Sequence, residues 1–136
     1  LGHNQRRWWG DARAAYAIPI RKILDAKTMT GGGSDGPVVP FDPFQSMWWM
    51  TTRQTLNGYA LGPEQAITPR EALTLYTINN AIVMGVEKDR GSIETGKLAD
   101  IVVLSKDILT IPPAEIRDAK ALMTLLGGKV VHRKDI

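Results

Sequence analysis

The sequence contains no cysteine and two histidines, His3 and His132. The first absence excludes disulfides, zinc–thiolate sites and thiol catalysis, and leaves the compartment open. The second leaves little for metal ligation, which needs several convergent ligands. His3 reads as a surface residue near a terminus, and His132 falls in a terminal hairpin. Long apolar runs are also missing: none reaches the length of a membrane span, so no membrane partner is expected. No signal segment is visible, which makes the cytoplasm the expected compartment. Charge of one sign is scarce, with 17 Lys and Arg against 14 Asp and Glu and a net charge of +3. The basic residues are scattered, Arg6-Arg7 being the densest pair, and no nucleic-acid partner is expected. There is no internal repeat and no low-complexity tract.

What is present is a chain of 136 residues, 43% hydrophobic and 23% charged. That composition is ordinary for a globular domain, and the length suffices for one core. The chain opens mid-pattern on Leu1 and reads as a piece of a longer polypeptide. Leu1 to Asp11 reads as loop or the end of an element. Ala12 to Ala26 carries a broad apolar face and reads as helix, either starting or kinked at Pro19. Lys27 to Gly33, rich in Thr and Gly, is a short strand candidate. Asp42 and Pro43 are a cap and a first helical residue for a helix running to Thr55. Its Met47, Trp48, Trp49 and Met50 either wall a pocket or fill a core, and core packing is the favoured reading. Thr68, Pro69 and Glu71 form a capping box opening one helix that runs to a Gly85 terminator. Asn79 and Asn80 within it are assigned to a tight helix contact. Beyond a charged loop, Ile101 to Leu104 reads as a buried strand. Pro112 to Arg117 reads as a helical turn, and the Gly127-Gly128 pair as the turn of a hairpin.

One stretch is richest in chemistry: Gly31-Gly32-Gly33-Ser34-Asp35-Gly36-Pro37-Val38. Three glycines permit sharp turns and close approach, and Gly36-Pro37 forbids continuation as a helix. The stretch presents one carboxylate, Asp35, from a tight loop. Taken locally, a turn aspartate bonding its own backbone is the favoured reading, and a catalytic carboxylate is the alternative.

Gly33-Ser34-Asp35-Gly36-Pro37-Val38 resembles the segment ending the eighth barrel strand of metal-dependent amidohydrolases, most closely the branch called amidohydrolase family 3. Tyr16 to Ala26 is similar to the helix before that strand, and Ile67 to Leu73 with Tyr76 to Ala81 to the helix after it. Gly91-Ser92-Ile93-Glu94-Thr95-Gly96-Lys97-Leu98-Ala99-Asp100 followed by Ile101 to Leu104, and Gly127 to Val131, resemble the return to the small β-sandwich of such chains. The resemblance implies an α/β fold, a partial TIM-like barrel end (last strand and flanking helices) followed by a β-rich composite sandwich segment. The corresponding parts are residues 1–85 and 86–136. It implies hydrolysis of a non-peptide carbon–nitrogen bond in an amide-type small-molecule substrate, with a divalent metal, zinc by expectation. Asp35 matches the carboxylate that contacts the metal centre or its water and acts as general base.

The family's paired histidines, bridging ligand and later histidines have no counterpart here. Lys27 stands where glycine is common, and Gly36 where alanine or tryptophan is common. One carboxylate cannot hold a catalytic metal, so the isolated chain is expected to bind none and to be inactive. A non-catalytic binding or assembly domain reusing the fold is the alternative. Phe41, Phe44, Trp48 and Trp49 are candidates for apolar faces left open, and self-association of the chain is the corresponding expectation.

Overall fold

The computed structural model describes residues 2–134. Five helices come first: α1 (Gly2–Ala14), α2 (Ile20–Asp25), α3 (Pro43–Thr52), α4 (Pro69–Tyr76) and α5 (Ile78–Val83). Three strands follow, β1 (Ile101–Leu104), β2 (Ala121–Leu126) and β3 (Lys129–Arg133), with single 3-10 turns at Pro63–Gln65 and Pro113–Asp118.

The helix starts follow the sequence closely. Asp42 caps α3 by accepting the Phe44 N–H at 2.9 Å, with Pro43 as first helical residue. At α4 both halves of the capping box form: Thr68 accepts the Glu71 N–H at 3.2 Å, and Glu71 accepts the Thr68 N–H at 2.8 Å. Nearby, one open reading is decided and one expectation fails. Residues 2–14 are helical, with a break at Gly10 (φ 72°, ψ 165°), so of the loop and the element end both expected there, the element forms. Across the break Arg6 bonds Asp11 with two hydrogen bonds of 2.6 and 3.0 Å while its guanidinium lies 4.7 Å from the centre of the Tyr59 ring. The helix expected to run from Thr68 to Gly85 is instead two, broken at Thr77 (φ −119°, ψ −97°). The Thr77 hydroxyl donates to the Leu73 carbonyl at 2.8 Å, taking the acceptor that its own N–H would use in a continuous helix; that N–H reaches Thr74 instead at 3.3 Å.

The core gathers Ile20, Met47, Trp48, Met50, Ile67, Ala72 and Leu75 with Ile108, Ile116 and Ala119, so residues on both sides of position 85 contribute to it. Met47, Trp48 and Met50 are therefore core, and Trp48, at 3% exposure, is not an open face; Phe41, at 87%, is exposed, while Phe44 and Trp49 are half-buried. Arg53 is fully buried beneath α3. Its Nε donates to Leu61 O, its Nη1 to Ile18 O and its Nη2 to Ala17 O, and the guanidinium stacks 3.9 Å from the Trp49 ring centre. Burial pushes its pKa down to about 10, with Glu64 acting weakly the other way, so it remains charged at neutral pH.

The strands form one antiparallel sheet in the order β1-β2-β3, with Val103 opposite Met123 and Thr124 opposite His132. Gly127 and Gly128, at φ 54° and 79°, make the hairpin turn. β1 is not the buried strand its composition suggests. It lies at the sheet edge, with Val102 and Val103 48% and 41% exposed. No helix among the described residues is long and apolar enough to cross a membrane.

Candidate functional site

Residues 28–33 form no strand ladder, contrary to the strand expected over Lys27 to Gly33. A backbone without a ladder still has to satisfy its N–H and C=O groups. Here the broken helix pair does so. The Gly32 N–H donates to Leu75 O at 3.0 Å, the Asn79 side-chain amide donates to Thr30 O at 3.0 Å, and that of Asn80 donates to Gly32 O at 3.0 Å. The asparagines thus meet the glycine stretch rather than another helix.

The glycines make this docking possible. A Cβ on Gly31 would collide with the Asn80 side chain, and one on Gly32 would lie 2.7 Å from the Tyr76 ring. Gly33 has no atom within 4 Å of such a position, so the chain leaves the helices there. Upstream, α2 closes with the N–H of Lys27 on Leu24 O at 2.9 Å and that of Thr28 on Ile23 O at 3.2 Å, the paired bonds of a Schellman motif. Lys27 occupies the left-handed position of that motif, at φ 55°. This conformation is the physical reason for glycine to be favoured at such a site.

Asp35 follows two residues after Gly33. It is exposed, takes φ 55°, and its carbonyl accepts the Val38 N–H at 2.9 Å to close a turn. Among the described residues its carboxylate makes no hydrogen bond and no ion pair. Three other loop aspartates use theirs, Asp42 accepting from Phe44 N, Asp107 from Leu109 N at 3.0 Å and Asp100 from Gly127 N at 2.7 Å, whereas Asp89, like Asp35, does not. The turn at Asp35 is thus closed by its backbone, and its side chain is left free.

Among the described residues no three or more His, Cys, Asp or Glu side chains gather where they could hold a metal ion. His132 sits on β3, exposed, and the His3 side chain lies outside the described structure. A cavity of about 310 Å³ is lined by Arg6, Arg7, Asp11 and Tyr59, and one of about 100 Å³ by residues of the 92–101 loop; Asp35 lines neither. The features the sequence did not assign to this site are Asn79, Asn80 and the break at Thr77. A tandem of two poor helix formers inside a helical pattern was the available signal.

Comparison with known proteins places the chain in a family. The model of the amidohydrolase family matches residues 2–132. The chain is 38% identical over 128 residues to an N-substituted formamide deformylase of Arthrobacter pascens, covering 93% of this chain and 24% of that protein. It is 32% identical over 102 residues to a 5′-deoxyadenosine deaminase of Methanobrevibacter smithii, covering 74% and 23% respectively. The fold is similar to that of an amidohydrolase from Thermotoga maritima MSB8, with a TM-score of 0.65 at 23% identity, over 85% of this chain and 26% of that one. The chain thus spans about a quarter of the length of these relatives. With the family model matched over nearly its whole length, the chain belongs to the amidohydrolase family.

Proposed function

We propose that this chain carries the proton-transferring carboxylate of a hydrolase that cleaves a non-peptide carbon–nitrogen bond in a small amide-type molecule, and that Asp35 is that carboxylate. The observation that carries the reading is the free side chain of Asp35. It stands exposed at the tip of a loop anchored at its base, in a chain whose relatives include a formamide deformylase and a deaminase. A carboxylate in that position takes a proton from the attacking water as its oxygen bonds to the carbonyl-type carbon. It then gives the proton to the nitrogen as the carbon–nitrogen bond breaks, and returns to its ionised form. The stretch ending in Asp35 is proposed to correspond to the last strand of a barrel, where sites lie at the carboxyl ends of strands.

A divalent metal, zinc by preference, belongs to the same reading, but the described residues do not build its site. Asp35 offers one carboxylate, and a metal centre needs several ligands. Of that chemistry, the part proposed for the described residues is the proton transfer at Asp35. The test is Asp35→Asn in the full-length gene product, assayed on N-substituted formamides. Turnover is expected to fall by roughly two to four orders of magnitude, the scale of general acid–base catalysis. Near-normal turnover would remove Asp35 from the mechanism.

A further inference from the structure

We propose that Asn79 and Asn80 are positioning residues for Asp35, acting together as a substitute for a neighbouring β-strand. The inference rests on the reading of Asp35 given above. In an extended chain, a residue's N–H and C=O point to one edge, and the carbonyl two residues away points to that edge as well. Thr30 O, Gly32 N–H and Gly32 O are such a set, and each has its partner on the α4–α5 pair: Asn79, Leu75 O and Asn80. The Leu75 carbonyl is available because the helix breaks at Thr77; in a continuous helix it would accept the N–H of Asn79. The break and the two asparagines therefore work as one device. It fixes both groups of Gly32, and the glycines bring the backbone close enough to be fixed.

Gly32 is the last residue so held. Gly33 meets no atom within 4 Å of a Cβ position, and Asp35 lies within about 10 Å of contour from the anchor. The Gly32 anchor thus sets the point from which the short segment carrying Asp35 starts. Misplacement of a reacting group by about 1 Å costs on the order of 100-fold in rate.

The test is a double-mutant cycle in the full-length gene product, with an N-substituted formamide as probe substrate. Asn80→Ala is expected to lower kcat about 100-fold with KM little changed. In an Asp35→Asn background the same substitution is expected to cost nothing further, because a residue acting through Asp35 has no effect once that carboxylate is gone. Asn80→Asp keeps the side-chain volume, removes the donor and sets a carboxylate against Gly32 O. It is expected to lose at least as much kcat while remaining folded at the assay temperature, as a thermal melt checks, which covers the case in which the alanine variant fails to fold. If Asp35→Asn is inactive but Asn80→Ala in an enzyme retaining Asp35 keeps full kcat, the positioning role is wrong and the role of Asp35 stands. The positioning role is equally overturned if residual activity of the Asp35→Asn enzyme falls by the full factor again when Asn80 is replaced. A fully active Asp35→Asn enzyme overturns both roles.

Discussion

Gly31, Gly32 and Gly33 are adjacent and chemically identical, yet they do different work. None of the three has positive φ, so backbone freedom is not what they supply. Gly31 and Gly32 lie flat against Asn80 and Tyr76, and Gly33 meets nothing. Gly32→Ala is therefore expected to destabilise the protein by about 1–3 kcal/mol, the cost of overpacking against the Tyr76 ring. Gly33→Ala is expected to leave stability unchanged or raise it by up to about 1 kcal/mol, through a less flexible unfolded chain. Urea unfolding of the two variants checks this; equal effects would show that the contacts at Gly32 do not matter. Asp35 was visible in the sequence as the one carboxylate of the stretch. Its freedom was not, because whether an aspartate bonds its own turn depends on backbone angles that neighbouring residue types do not specify.

At the scale of the element, caps were legible and interruptions were not. Thr68 and Glu71 stand three apart before an apolar run, and the interaction between them is local, so the box forms as the sequence dictates. The break at Thr77 also arises locally, from a hydroxyl taking a helix carbonyl, but many helical threonines make that bond without ending the helix. Here the freed Leu75 carbonyl gains the Gly32 N–H, a partner 43 residues upstream. The start of α4 yields a pH prediction. Burial pushes the Glu71 carboxyl up, but the Thr68 N–H and hydroxyl and the Arg21 guanidinium, 2.7 Å away, outweigh it and hold Glu71 below the ordinary carboxylate range. A folded-state pKa below the unfolded one stabilises the fold above the unfolded pKa, and that stabilisation is lost as pH falls through the folded value. Glu71→Gln is thus expected to be less stable than wild type at neutral pH, by about 1 kcal/mol or less because the pair is partly exposed, with the gap closing in acid. Urea midpoints for both proteins at neutral and acidic pH are the measurement, and a gap independent of pH would contradict the assignment.

For the whole molecule, the sheet and the site make the prediction. β1 and β3 are both sheet edges, Val102, Val130 and Val131 are exposed, and Phe41 stands open beside the Asp35 loop. Open edges and exposed apolar side chains favour association, so the isolated chain is expected to self-associate with rising concentration and, lacking a ligand set, to show no tight stoichiometric zinc binding. Analytical ultracentrifugation and zinc calorimetry on the isolated chain check the two halves; a clean monomer at high concentration counts against the first, and tight binding against the second. The sequence by itself determined the helix starts at Pro43 and Pro69, the hairpin at Gly127-Gly128, the location of the loop carboxylate and the family, because each is written in a few adjacent residues or in motif order along the chain. Only the tertiary structure decided that Trp48 is core, that Val102 and Val103 are exposed, and that the segment before Asp35 is held by Asn79 and Asn80. Those outcomes depend on which distant surfaces meet. A run of valines or a pair of asparagines carries the same local preferences whatever packs against it; the partner across the contact fixes its role.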